Sequence, residues 1–147
     1  MAENLSYNAP GSVCYDNDPS NCETYGHLYD WNTALTVCPA GWHLPSDAEW
    51  TTLENAVGGS SIAGTKLKST SGWYDGNGTN DFGFSALPGG FGRFSDDYFT
   101  DAGDTGYWWS ATENGASNVL GRYMSNSGNV VSYGYKTQLF SVRCVQD

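Results

Sequence analysis

A chain of 147 residues with 16 acidic and only 6 basic side chains carries a formal charge of -10, which repels a phosphate backbone over most of the surface and excludes nucleic acid as an expected partner. Aromatic residues make up 15% of the chain and glycines number 19, a balance that favours a loop-rich domain built around large rings and excludes a long helical bundle. No apolar run approaches bilayer-spanning length, so no direct membrane insertion is expected.

The opening Met1-Ala2-Glu3-Asn4 lacks the basic and apolar regions of a signal peptide, as expected of a mature segment of a larger exported protein. The four cysteines, Cys14, Cys22, Cys38 and Cys144, include no CxxC and no nearby histidine pair. Such a set reads as disulfides in an oxidising, extracellular or cell-surface location rather than as a zinc site. Of three connectivities the preferred one joins Cys14 to Cys22 across a short Asp/Asn/Pro/Ser loop and Cys38 to Cys144 across most of the domain; loop closure assigns the long bridge roughly 4 to 5 kcal/mol. The competing reading is four buried thiols in a reducing cytosol.

Tyr29 to Val37 carries Trp31, Ala34 and Leu35 at near-helical spacing and predicts a first short helix ending at Cys38-Pro39. After a turn, Ser46 and Glu49 form a capping-box pattern, with Pro45 before the cap and Trp50 placed to staple onto it. The second predicted helix buries Trp50, Leu53, Ala56 and Val57 and stops at Gly58-Gly59. Residues 60–81 read as a long ordered loop around Leu67 and Trp73. Phe82, Phe84 and Ala86 alternate with small residues, predicting a short strand that enters a turn at Leu87-Pro88-Gly89-Gly90. An acidic loop with Asp96, Asp97, Asp101 and Asp104 follows. Tyr107-Trp108-Trp109-Ser110 reads as a strand, as do stretches near 119–125, 129–135 and 139–145, the first two of these joined as a hairpin at Asn126-Ser127-Gly128. The expected class is α+β, one disulfide-linked domain over 1–147 with two short helices and a small looped antiparallel sheet.

The run Cys14 to Cys22, Gly41-Trp42-His43-Leu44-Pro45-Ser46 with Glu49-Trp50, Gly83-Phe84-Ser85-Ala86-Leu87-Pro88-Gly89-Gly90, Tyr107-Trp108-Trp109-Ser110-Ala111-Thr112-Glu113-Asn114 and Phe140-Ser141-Val142-Arg143-Cys144-Val145 occur in order over nearly the whole chain. Together they resemble the Fibrobacter succinogenes major paralogous domain family. The resemblance implies a C-type lectin-like fold, shared with the formylglycine-generating enzyme superfamily, in a module of exported bacterial proteins.

Function has to come from a site. Ser117 to Tyr135 is dominated by Tyr, Ser, Gly and Asn, the composition of binding loops: Tyr brings contact area at small entropy cost while the others adapt. This segment resembles the variable proteins of diversity-generating retroelements, which carry a mutable binding surface near the C-terminus of a C-type lectin-like fold. That likeness implies ligand contacts at Gly121, Tyr123, Ser125, Val131, Ser132, Tyr133, Gly134 and Tyr135, with Met124 and Lys136 as scaffold. Trp108 is the candidate ligand platform beside them, whereas Trp42, Trp50 and Trp109 are expected in the core. The bland alternative is a polar β-hairpin in a structural module of a larger surface protein.

A carbohydrate-binding module is the obvious lectin inference, but the Glu-Pro-Asn, Gln-Pro-Asp and Trp-Asn-Asp triplets of calcium-dependent sugar sites do not occur. Asp75, Asn77 and Asp81, or Asp96, Asp97, Asp101 and Asp104, offer hard oxygen ligands for a structural calcium ion, although solvated acidic loops account for them equally well. No cofactor is expected. A formylglycine-generating type of enzyme needs an active cysteine pair, which disulfide pairing would remove; His27 and His43 lack convincing acid-base partners, and a carboxylate pair involving Glu113 has no separation that sequence can supply. The expected function is therefore non-enzymatic: an exported adhesin or receptor-binding domain, of bacterial or phage origin, that holds a protein or glycan ligand on a cell surface.

Overall fold

The computed structural model describes residues 1–125 and 128–147, with 128–133 described by their backbone. In chain order the elements are β1 (Ser12–Val13), a 3-10 turn (Tyr15–Asn17), α1 (Pro19–Tyr25), β2 (Leu28–Tyr29), α2 (Trp31–Ala34), β3 (Trp42–His43), α3 (Asp47–Ala56), α4 (Ser60–Leu67), β4 (Gly89–Arg93), β5 (Tyr98–Ala102), β6 (Thr105–Glu113), β7 (Asn118–Ser125), β8 (Gly128–Tyr135), β9 (Gln138–Ser141) and β10 (Val145–Gln146). Eight strands form one sheet in the order β1-β2-β9-β4-β6-β7-β8, with β5 hydrogen-bonded to β4 and β9 also paired with β6. The sheet is mostly antiparallel; β6 meets β4 and β9 in parallel. A separate ribbon sets Val145 of β10 opposite His43 of β3. The class is α+β, as expected.

Four helices among the described residues replace the two predicted, and each difference has a local cause. Asp18-Pro19 opens α1: the Asp18 carboxylate accepts from Ser20 N at 2.9 Å, and proline at the first helical position loses no bond. This helix lies within the short loop closed by Cys14 and Cys22. The helix predicted over Tyr29 to Val37 shrinks to the single turn of α2, because Tyr29 pairs with Phe140 in the sheet and Asp30 caps Thr33 N. α3 follows its capping box: Ser46 Oγ accepts from Glu49 N, Glu49 Oε2 accepts from Ser46 N at 2.8 Å, and the helix stops before Gly58 at φ 112°. Part of the predicted 60–81 loop is α4, which buries Ala63, Gly64 and Leu67.

Between Lys68 and β4 the chain is irregular, and the predicted strand around Phe82 to Ala86 is reduced to one bridge from Ala86 to Lys68. The predicted turn at 87–90 already holds the start of β4, and the acidic loop contains β5. Glycine hides β4, and the surrounding aspartates hide β5. A Cβ on Gly90 would lie 2.4 Å from Thr100 O and one on Gly92 2.8 Å from the Phe99 ring, so the close approach of β5 at these two positions needs glycine in β4.

Both faces of the central strands are covered. On one, Trp109 (0% exposed), Val119, Phe140 and Val142 pack with Tyr29, Trp31 and Leu44; on the other, Trp108, also 0% exposed, and Met124 pack with Trp50, Val57, Leu67 and Trp73 of α3, α4 and the loop after them. Each such tryptophan removes about 150–250 Å² from water, roughly 4–6 kcal/mol of transfer free energy. Trp109 donates to Tyr29 O at 2.7 Å and Trp50 to Trp109 O at 3.2 Å, so the indole N–H groups keep partners in the dry interior. Cys14 bonds Cys22 and Cys38 bonds Cys144, the preferred connectivity. No helix among the described residues is long and apolar enough to cross a membrane.

Candidate recognition face

Aromatic rings stack from the core outward along one face of the sheet. Trp109 lies on Phe140 with centroids 4.1 Å apart, Phe140 on Tyr107 at 5.2 Å, and Tyr107 on Tyr123 at 5.9 Å. Phe91 meets Tyr107 edge-on at 5.2 Å and Tyr98 at 6.3 Å. Exposure rises along the series: Trp109 and Phe140 are buried, Tyr107, Tyr123 and Phe91 half-buried, and Tyr98 is 42% exposed. Sheet register produces this ladder, since Trp109 pairs with Gly121, Tyr107 with Tyr123 and Thr105 with Ser125, and directly opposed residues share a face.

Polar groups border the open end. Tyr107 donates its hydroxyl proton to Asp101 Oδ2 at 2.9 Å; burial first, then that carboxylate, pushes its phenol well above the usual range, so it stays a donor at physiological pH. The Arg93 guanidinium lies 4.5 Å from the Tyr98 ring and bridges Asp96 at 3.0 Å. Behind the end of β7 the buried Lys68 ammonium donates to Ser125 O at 2.9 Å and sits 4.9 Å from the Trp73 ring.

Of the sequence-predicted contacts, Tyr123 and Ser125 lie at this half-exposed end of the face. Trp108 does not: it points to the opposite, helix-covered side, is fully buried, and donates to Asn4 Oδ1 at 2.9 Å, so it is core and no ligand platform. Adjacent strand residues alternate sides, and one of two neighbouring tryptophans had to face the helices. Gly121 and Gly134 are also buried. A Cβ at Gly134 would come within 2.7 Å of Trp109 and 3.0 Å of Phe140, so glycine here makes room for the core rings.

Tyr135, 62% exposed, pairs with Asn118. Asn118 is five residues from Tyr123, an odd number, so Tyr135 belongs to the other face and lies roughly 17 Å along the strands from Tyr123. The predicted trio of Tyr123, Tyr133 and Tyr135 is thus divided. Val131, Ser132 and Tyr133 register opposite Arg122, Gly121 and Leu120, while their side chains lie outside the described residues, as do Asn126 and Ser127 of the predicted turn.

Sequence reasoning missed Phe91, Tyr98 and Tyr107 as surface groups. The available signal was the alternation of Phe91 with Arg93 and of Thr105 with Tyr107, obscured by glycine-rich surroundings.

Other candidate chemistry is engaged elsewhere. All four cysteines are in disulfides. His27 Nδ1 meets Ser12 Oγ at 3.1 Å, and Glu113 pairs with Lys136 at 3.2 Å. Asp97 accepts from Asn17 and Asn77 from Trp73 N, while Asp96 pairs with Arg93 and Asp101 accepts from Tyr107, so these four of the residues named as calcium ligands have protein partners.

His43 spans two carboxylates: Nε2 meets Glu49 Oε1 at 2.8 Å and Nδ1 meets Asp147 Oδ1 at 2.7 Å. Hydrogen bonds to Asp147, then Glu49, raise its pKa, whereas the Ser46 N–H first, with His43 further down, lowers that of Glu49. A raised histidine pKa contributes stability fully below the unfolded value of about 6.5 and loses it as pH rises through the folded value; a lowered glutamate pKa contributes above about 4.3 and loses it as pH falls. The melting-temperature gap between native protein and His43→Asn should accordingly be widest near pH 6 and shrink by about pH 8.5 in thermal unfolding. All three side chains are at least 40% exposed, so the gap will be small.

The family model described as the Fibrobacter succinogenes major domain matches residues 1–146. No curated protein and no solved structure matches the chain.

Proposed function

Because the chain belongs to the Fibrobacter succinogenes major domain family, we propose that it is a non-catalytic recognition module of the cell exterior, C-type lectin-like in arrangement, which holds a protein or glycan ligand on its open aromatic face. One observation carries the reading: the rings of Tyr98, Phe91, Tyr107 and Tyr123 are half-exposed yet stacked on buried Phe140 and Trp109. Rings held by the core lose little conformational freedom on binding, which suits hot-spot contacts. Two disulfides suit an exported protein, and a charge of -10 disfavours nucleic acid. Support for the lectin-like arrangement comes from the two ends of the chain running together, with Leu5 N donating to Val142 O at 2.9 Å and β2 paired with β9. Retroelement diversification would change Tyr123 and Ser125 on this face, and a near-copy of codons 117–145 beside a reverse transcriptase would support it.

The test is a screen of glycans and cell-surface proteins against the native chain and the Tyr98→Ala/Tyr123→Ala variant. The native protein should capture a ligand that the variant, still folded by circular dichroism, binds at least about tenfold more weakly. Equal capture by both would overturn the recognition face and leave a structural module.

A further inference from the structure

Resting on that recognition reading, the charge arrangement points to the chemistry of the partner. Every basic side chain of this protein is already engaged. Arg122 and Arg143 are buried, Lys68 is buried against Trp73, Lys136 pairs with Glu113, Lys66 lies over Phe82, and Arg93 pairs with Asp96. The face therefore offers aromatic π surfaces and carboxylates, and Arg93, the cation at its rim, is held over Tyr98 and against Asp96. Arg93 shows what such a surface holds: its guanidinium sits over Tyr98 with a carboxylate at its edge, an aromatic ring below and an acidic oxygen beside. Tyr107 and Asp101 repeat the combination a strand away, with the carboxylate on the ring's own hydroxyl.

We propose that the partner is a basic polypeptide segment whose arginine or lysine side chains lie over the outward rings of Tyr123 and Tyr98, with their charges directed toward Asp101. Cations are drawn to the negative face of an aromatic ring, and more strongly where a carboxylate is nearby. The net charge of -10 adds long-range attraction for such a segment and repels an acidic peptide or an anionic glycan. A neutral glycan could stack on the same rings but would gain nothing from the field.

The experiment titrates the full chain with hexa-arginine, hexa-glutamate and a neutral chitin hexasaccharide, following tyrosine resonances or fluorescence. Hexa-arginine should bind, and weaken about tenfold or more as salt rises from about 50 mM to about 500 mM. Tyr98→Ala/Tyr123→Ala leaves the net charge unchanged and should weaken that binding about tenfold, whereas Tyr135→Ala, on the opposite face, should leave it as it was. No binding of hexa-arginine, or equal binding by the native chain and the double variant, overturns the basic partner, the latter showing non-specific charge attraction alone. Tyrosine-dependent binding of the hexasaccharide or hexa-glutamate in its place also overturns it while leaving the recognition face intact. The recognition face itself falls only if the screened ligand ignores the two tyrosines.

Discussion

Replacing Arg122 with alanine should destabilise the protein by about 3–5 kcal/mol, the largest loss expected from any single substitution outside the aromatic core. The side chain is 2% exposed. Its Nε donates to Glu54 Oε1 at 2.9 Å, Nη1 to Asp47 Oδ1, and Nη2 to Asp47 O at 3.1 Å and Thr51 Oγ1 at 3.0 Å. One guanidinium on β7 thereby fastens both ends of α3 to the sheet. Truncation leaves two carboxylates near each other without their shared cation, together with a void, so desolvation and repulsion add to the lost bonds. In a domain of this size the midpoint should fall by roughly 10 °C, measured by thermal unfolding, with denaturant midpoints moving and the slope unchanged. A fall below about 1 kcal/mol would show that α3 is held by Trp50 packing alone. Tyr123 is the next residue on β7, so ligand affinity should fall with the fold in this variant, unlike in the Tyr98→Ala/Tyr123→Ala pair.

The second large effect concerns the long disulfide. Cys38 and Cys144 are separated by 106 residues, Cys14 and Cys22 by 8. If bridges act by restricting the unfolded chain, removing the long one costs roughly 4–5 kcal/mol and the short one roughly 2.5 kcal/mol. Cys144 is also fully buried among Val142, Leu44 and Trp109, and it sits just before the β10 strand that pairs with β3, so its loss frees the end of the chain from the core. The Cys38→Ala/Cys144→Ala variant should melt well below Cys14→Ala/Cys22→Ala. The reverse order in parallel thermal scans would mean that local strain or residual structure outweighs loop entropy.

Signals that depend on near neighbours were legible in the chain. The Ser46/Glu49 box was readable because a cap needs only residues three apart, and the cysteine pairing was the preferred one of three because it closes a short loop of turn-forming residues. Asp18-Pro19 carried an equally local start signal, and α1 could have been read from it. α4 was harder: Ile62, Gly64 and Thr65 weaken its propensity, and the burial of Ala63 and Leu67 against Trp73 and Trp108 offsets that weakness. β4 was hidden for the opposite reason, since its glycines remove the branched and aromatic residues by which strands are recognised, whereas β5 carries Tyr98, Phe99 and Thr100 but is set among aspartates that read as a loop.

The sequence by itself determined the α+β class, the preferred cystine pairing, the position and cap of α3, the strand that carries Trp108 and Trp109, and an acidic, aromatic-rich composition. Which aromatic residues meet solvent was decided only in three dimensions. A strand's period of two places neighbouring residues on opposite faces, but nothing local states which face the helices will cover. The placement of α3 and α4 over one side buried Trp108, and the packing of Phe140 and the N-terminal segment over part of the other buried Trp109 and left room for no side chain at Gly134. Tyr107 and Tyr123 stand where that cover ends, and Tyr98 joins them through the pairing of β5 with β4. The open aromatic face is therefore a product of register and of where the covering layers stop, both set by contacts distant in sequence.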